Sequence, residues 1–441
     1  MSTANMADRI ADLSMIWKQA SQIFPYFDQN PIDWDSKYRE YIDKVMSAKT
    51  DKEVHLILAE FINLLGDGHT DYMFPKALQD EIGYLPFLLR SIEDGYCIII
   101  TSPAYEKFYG ARILSINGIA FSEFIRDVSR YSYHVGTFAS RINQMLPFFL
   151  NRYGNQVETT LGSFTFDLSD TPLTGMQPRA LTLPYSYQKI DSEKLDIRIY
   201  DGGILYVKLY DFLYNKVADE VRAAIEQTDG LKGVLLDLRE DRGGMTVYGA
   251  ELAKLLISGT FHACKKRTRS ATGSEIASAS QIARWSKEAI EEHIAAGYAT
   301  REEMDECIDF IKNRHYNRYE NSYGADDHTA LFSGPCVLLT SRYTASAAED
   351  FVAMFRTSRR ATIVGTPTSG TTGTPLMEPL LCGGWFRVVS IGYQMMDGSE
   401  FIGHGIEPDI YCETTEADLR SGYDTVLENG LNILKNQISN S

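Results

Sequence analysis

The sequence predicts an α/β protein with a helical N-terminal region and a β-rich insert, and three observations carry that expectation. After Asp201-Gly202-Gly203, strand-like and helix-like segments alternate. Within that run GVLLDLR is apolar on nearly every residue, as expected of a parallel strand covered by helices on both faces. Upstream, the hydrophobic period changes from helical to alternating, marking a different kind of unit.

Taken in order, Met6 to about Leu65 repeats apolar residues at helical spacing, as in Ile10, Leu13, Ile16 and Trp17, then Val54, Ile57, Leu58, Phe61 and Leu65. Gly66 and Gly68 end the helix in the string GDGHT, which places His69 on a tight turn. From Tyr84 to Phe124, LPFLLRSI and CIIIT read as strands, and GARILSING alternates before a helix-like tail. VETTLGSFTFDL and RALTLPY extend the β-rich stretch between Gly and Pro punctuation. The core then reads ILYVKLY, NKVADEVRAAIEQ, GVLLDLR and TVYGAELAKLLIS, and again CVLLT, a helix from about Ala345 to Arg356, ATIVG and GWFRVVSIGY. Between these halves residues 281–321 are helical and charged, with Thr300 and Glu303 at capping-box spacing. A solvated helical hairpin is the preferred reading there over a lid.

Of 441 residues 43 are Lys or Arg and 59 are Asp or Glu, a formal charge of −16 that argues against nucleic acid or an anionic membrane as main partner. With 44 % apolar and 23 % charged residues, disordered and fibrous classes are set aside, and the length suits two or three domains. No apolar run is long enough to span a bilayer. The N-terminus lacks a basic segment followed by an apolar run, so the expectation is a cytoplasmic protein, or an exported one whose leader has been removed. Six scattered cysteines without a CxxC pair read as reduced thiols.

Three strings offer chemistry. Ser346 in TSRYTASAAEDF follows an apolar strand and opens an amphipathic helix, where nucleophiles are often held and where free N–H groups favour developing negative charge. The same position suits a simple N-cap. Ala347 is the natural first oxyanion donor. Gly243 and Gly244, directly after a parallel strand, could expose a second N–H, or form an ordinary turn. His69 is a candidate base, since a serine hydroxyl needs a neighbour to take its proton. His328 and His404 compete with it, and neither has zinc-ligand spacing.

Together LLGDGHTDY, LPFLLRSIEDG, GARILSING, ILYVKLYDF, KGVLLDLREDRGG, VLLTSRYTASAAEDF, RATIVGTPTSG and EFIGHGIEPDI resemble, in order, the tail-specific or C-terminal processing family of serine proteases. The resemblance implies a crotonase-like α/β catalytic core over 186–441 with a helical insertion at 281–321. It also implies a PDZ-like insert over 81–185 behind an N-terminal helical region, 1–80. It places Ser346 as nucleophile and Ala347 with the Gly243-Gly244 pair as oxyanion hole. The tail-specific branch uses a lysine in a GKG string, but here SGTTG puts Thr371 at that place, and a threonine cannot act as that base. The tricorn-like branch draws a histidine from the region of GDGHT, which points to His69. That branch orients its histidine with a hydroxyl and a glutamate; Gly68 removes the hydroxyl from the preceding position, and Glu400 is the nearest acid in register, with Asp67 as a poorer alternative.

The expectation is therefore a serine peptidase acting through an acyl-enzyme on peptides, unfolded proteins or protein C-termini, with no metal and no cofactor. The PDZ-like insert would capture an extended peptide by strand addition, or merely cover the cleft. A non-catalytic binding protein on the same fold, an esterase, and a homo-oligomer are all compatible with the sequence.

Overall fold

The computed structural model describes residues 5–132, 136–270, 282, 284–313 and 316–440. Its centre is a seven-stranded sheet in the order Ile410–Tyr411, Thr362–Gly365, Cys336–Thr340, Gly233–Asp237, Ile204–Lys208, Asp196–Tyr200 and Tyr187–Ile190. The first five strands run parallel and the last two are added antiparallel. Alternate residues of the parallel strands serve opposite faces, as the strand period of two requires. Leu205, Val207, Val234, Leu236, Leu338 and Ile363 pack against the helices Val217–Gln227, Thr246–Ala253 and Ala347–Ser358. Ile204, Tyr206, Leu235, Val337, Leu339 and Val364 pack under the C-terminal helix Thr425–Ser439. Both faces are thus buried, which is why GVLLDLR shows no polar alternation.

A second, antiparallel sheet is formed by Asp71–Met73, Trp385–Met395, Cys264–Ser270 and Tyr316–Asn321, with Thr374–Pro379 added to the long strand. GWFRVVSIGY therefore leaves the parallel sheet and becomes the spine of this one. The N-terminal helices Met6–Ile23, Trp34–Ser47 and Asp51–Asn63 bury Leu13, Ile16, Val45, Leu58 and Phe61 in one core with Phe386 and Val388 of that spine. Asn5, Asp33 and Thr50 cap these helices through their side chains.

The β-rich stretch has its own core, built on the hairpin Phe87–Ile92 with Gly95–Thr101 and a four-stranded sheet of Ile119–Ala120, Ile113–Ile116, Asn155–Thr159 and Gly162–Phe166. RALTLPY is not a strand. Thr182 makes a single bridge to Tyr423, because no partner strand lies alongside and Pro184 lacks an N–H. In the charged stretch, Lys287–Ala295 and Arg301–Asn313 are helical, and Thr300 and Glu303 exchange the reciprocal bonds of a capping box. Its end, Tyr316–Asn321, is instead a strand paired with Cys264–Ser270, while residues 281, 283 and 314–315 lie outside the described residues. Among the described residues no helix is long and apolar enough to cross a membrane.

A buried guanidinium ties the central sheet to the C-terminal helix. Arg239 donates to Asp237 at 2.9 and 2.7 Å and to Asp424 at 2.7 and 2.9 Å, and Asp424 is also the N-cap of the C-terminal helix. Burial pushes the Asp237 carboxyl up, but the Arg239 charge and its hydrogen bonds outweigh burial and hold it below the usual carboxylate range. That contribution is present above the unfolded carboxylate pKa and is lost as pH falls through the folded value. Arg239→Met leaves two buried carboxylates without their ion-pair partner, and we expect urea unfolding at pH 7 to show a loss of about 3–5 kcal/mol.

Candidate active site

Three neighbouring parallel strands, Gly233–Asp237, Cys336–Thr340 and Thr362–Gly365, end side by side. The loops that leave them carry Gly243-Gly244, Ser346 and Thr371 respectively, in the crevice beyond the carboxyl ends where α/β sheets bind ligands. His69 arrives from outside this sheet, on the turn between the helix Asp51–Asn63 and the strand Asp71–Met73. That turn is anchored to the second sheet: Arg387 donates to Gly68 O at 3.1 Å and to Asp71 at 2.8 and 2.7 Å, and Arg141 also pairs with Asp71.

Ser346 stands at the N-cap position with φ 58° and ψ −128°, one of three non-glycine residues with positive φ among the described residues. Such a conformation costs on the order of 1–3 kcal/mol and persists only where the surroundings impose it. Here they do: Ser346 N–H donates to Thr371 O at 2.9 Å, and the preceding Ala345 N–H donates to Asp241 O at 3.1 Å. The Ser346 hydroxyl makes no capping bond. It lies 3.3 Å from His69 Nε2 instead, which removes the N-cap as the reason for this serine.

The other ring nitrogen, His69 Nδ1, is 2.5 Å from Thr371 Oγ1. For Nε2 to accept the serine proton it must be bare, so the neutral ring carries its hydrogen on Nδ1 and donates it to the threonine oxygen. Burial, then the positive Arg387, pull the His69 pKa down to about 3, with Asp71 opposing them. The ring is accordingly neutral at ordinary pH.

Thr371 is held in turn by Glu349, one turn into the helix that Ser346 opens. The Glu349 carboxyl accepts from Thr371 N–H at 2.7 Å, from Gly370 N–H at 2.7 Å and from the Thr368 hydroxyl at 2.6 Å. Burial raises its pKa to about 8 against those three donors. The spacing of Ser346 and Glu349 is that of a capping box, and this was the only signal in the sequence for Glu349; the carboxyl reaches across to the neighbouring loop rather than back to its own helix.

Glu400 does not orient His69, a correction to the sequence reading. Its Oε1 accepts from Gln394 Nε2 at 3.0 Å and lies 3.5 Å from Arg267, and among the described residues it makes no bond to the imidazole. The string EFIGHG does return to the loop after Thr362–Gly365, where Gly403 N–H donates to Gly370 O at 2.8 Å, but the Glu400 side chain is held on Gln394 of the second-sheet spine, and the ring's Nδ1 meets Thr371 of that loop instead. Asp67 accepts the backbone N–H of His69 at 3.1 Å, not the ring. His328 is turned to its own neighbour's carbonyl, Asp326 O, at 2.8 Å.

The glycine pair divides its roles. A Cβ on Gly243, whose φ is +95°, would stand 2.6 Å from Ser346 Cβ and 2.8 Å from Ala347 N, so only glycine leaves room there. The Gly243 N–H already donates to Asp241 Oδ1 at 2.8 Å, which leaves Gly244 and Ala347 as the backbone donors without an acceptor among the described residues. Asp241 Oδ2 is buried without a hydrogen-bond partner among the described residues, and burial raises that carboxyl to about 8. No group of three His, Cys, Asp or Glu that could hold a metal occurs among the described residues.

Over the full chain the fold is similar to that described as mature CPAF complexed with lactacystin, with TM-score 0.73 at 16 % identity and 99 % of each chain covered. A putative peptidase from Parabacteroides merdae ATCC 43184 gives TM-score 0.54 at 16 % identity, covering 98 % of this chain and 97 % of that one. In sequence, 93 residues are 33 % identical to a carboxy-terminal-processing protease of Bartonella bacilliformis, a stretch that is 21 % of this chain and 21 % of that relative's length. Residues 203–412, which contain Gly243, Gly244, Ser346, Ala347, Glu349 and Thr371, match the description Peptidase family S41, and this part of the chain is a domain of that family.

Proposed function

We propose that the chain is a serine-type peptidase of the tail-specific kind that hydrolyses peptide bonds through an acyl-enzyme. The observation that carries this is the 3.3 Å approach of Ser346 Oγ to His69 Nε2, across 277 residues of sequence and between two different sheets. Nε2 takes the hydroxyl proton as Oγ bonds to the substrate carbonyl carbon. The Ala347 and Gly244 N–H groups receive the oxyanion. The C–N bond breaks as Nε2 returns the proton to the leaving amine, and water then repeats the sequence on the acyl group. No step needs a metal or an organic cofactor. Thr371 is a positioning residue: it fixes the tautomer and the tilt of the ring.

On this reading residues 186–441 are a crotonase-like catalytic core with its insertion at 281–321, residues 81–185 are a PDZ-like unit, and residues 1–80 bring the base. The substrate class is peptides or protein C-termini, in line with the name of the Bartonella relative. Strand addition at Phe87–Ile92 meets an obstacle, because Leu89 N–H donates to Asn143 Oδ1 at 2.7 Å and Asn143 Nδ2 donates to Leu89 O at 2.9 Å. A side-chain amide thus fills the ladder position that an added peptide would use, and an incoming strand must displace it.

Wild-type protein is expected to be labelled at Ser346 by a fluorophosphonate and to cleave fluorogenic peptides; Ser346→Ala should lose labelling and about 10⁶-fold in kcat. An unlabelled wild-type serine together with no hydrolysis would sink the peptidase reading. Removing the orienting hydroxyl while keeping the shape, in Thr371→Val, should lower kcat by about tenfold to a hundredfold, the worth of about 1–3 kcal/mol for one buried polar partner. Thr371→Ser should restore most of it, and Glu400→Gln should stay near wild type. Because the base loses its charge only near pH 3, kcat/KM followed from pH 8 to pH 5 should show no fall with an apparent pKa near 6.5, the unperturbed value of the ring. The same depression means that this ring's share of stability is present above pH 6.5 and is lost as pH falls from there toward its folded value.

A further inference from the structure

Between the β-rich unit and the antiparallel end of the central sheet lies a cavity of about 680 Å³, within the size range of small-molecule sites. None of Ser346, His69, Thr371 and Gly243 lines it. Five cationic residues face it, Arg90, Arg179, Arg198, Lys208 and Arg239, against three acidic ones, Asp196, Glu240 and Asp424. Glu106 and Asp237, which pair with Arg179 and Arg239 from behind the wall, bring the acids at this site to five as well.

The cations are not equivalent. Arg90 pairs with Glu240, Arg179 with Glu106, Arg198 with Asp196, and Arg239 with Asp237 and Asp424. Lys208 alone has no carboxylate within ion-pair distance among the described residues. The sheet register explains why. Lys208 stands between Asp196 on one neighbouring strand and Asp237 on the other, and each aspartate is taken by the arginine two residues along its own chain, Arg198 or Arg239. A half-buried ammonium is left facing the cavity, 5.2 Å from the centre of the Tyr210 ring. The remaining wall includes Ile99, Pro178, Leu181, Leu419 and Leu427, an apolar surface that a hydrated inorganic ion would not use.

We propose that this cavity binds an aliphatic monocarboxylate, the carboxylate on the Lys208 ammonium and the chain along Ile99, Leu181, Leu419 and Leu427. Lys208 is the one cation of the wall without a carboxylate in ion-pair contact among the described residues, with Asp237 acting on it only at longer range, and a charge-assisted bond in a partly desolvated site is stronger than one in water. A carboxylate on an apolar chain can come from a free fatty acid or from the C-terminus of an apolar peptide. The proposal stands apart from the peptidase reading, since no catalytic group lines the cavity.

Calorimetric titration of the full chain, as wild type and as Ser346→Ala, with decanoate and with acetyl-Leu-Leu-Leu bearing a free carboxylate distinguishes those sources. Saturable one-to-one binding of at least one probe is expected, equal in both proteins and at least about tenfold weaker for the corresponding neutral amide. Lys208→Met and Leu181→Asp, each checked for a cooperative thermal transition, should each weaken binding about tenfold or more. Absence of saturable binding for both probes, or affinity unchanged in whichever of the two variants folds, overturns the proposal.

Discussion

Thr371 holds Ser346 and His69 at once, and the geometry of the candidate site depends on it. Its carbonyl fixes the backbone of Ser346 and its hydroxyl meets the imidazole of His69. The loop that carries it is itself gripped by Glu349, which lies one turn into the helix that begins after Ser346. Ser346 and the hydroxyl that meets the ring are therefore referred to the same helix start. A shift of that loop moves the strained serine and the ring together, so the hydroxyl-to-nitrogen separation is protected against small motions of the sheet. The strain at Ser346 is the cost of aiming the hydroxyl out of the helix rather than into its own cap.

The electrostatic setting follows from burial more than from paired charge. Glu349, Asp350 and Asp241 lie close to the site in sequence and are buried, and burial lifts their carboxyls to about 8, 6 and 8. The same exclusion of water lowers the imidazole, and the Arg387 charge adds to it. Acids pushed up and a base pushed down are the two sides of one low-dielectric pocket. The ring meets the serine uncharged.

Assembly of the site also requires that separately built cores meet at fixed places. The N-terminal helices share a core with the spine of the second sheet, and Arg387 on that spine grips both Gly68 and Asp71 on either side of His69. The imidazole is thus carried by a sheet other than the one that carries the serine. The β-rich unit touches the catalytic loops through Arg90, paired with Glu240, and through Ser91 N–H, which donates to Tyr343 OH at 2.9 Å. Each contact falls three residues before a candidate site residue, Glu240 before Gly243 and Tyr343 before Ser346.

Much of the fold was legible because its signals are local. The period-two and fully apolar strands, the helical faces, the Thr300–Glu303 capping box and the glycine-ended turn before His69 are each written within a dozen residues. Ser346, His69, Ala347 and the glycine pair were legible for the same reason, each standing at a strand-to-helix or helix-to-turn junction. What failed is what depends on a partner far along the chain. RALTLPY has strand-like residues but no strand to pair with, GWFRVVSIGY belongs to a different sheet from the segments around it, and the Glu400 side chain is held by Gln394 of that spine rather than by the ring. Sequence by itself determined the elements and the junction residues, since backbone sterics and hydrophobic periodicity act over short range. Only the tertiary structure decided that a threonine hydroxyl and a buried glutamate orient the histidine, because a hydrogen bond between residues 69 and 371 depends on how two sheets pack, and no local pattern encodes that.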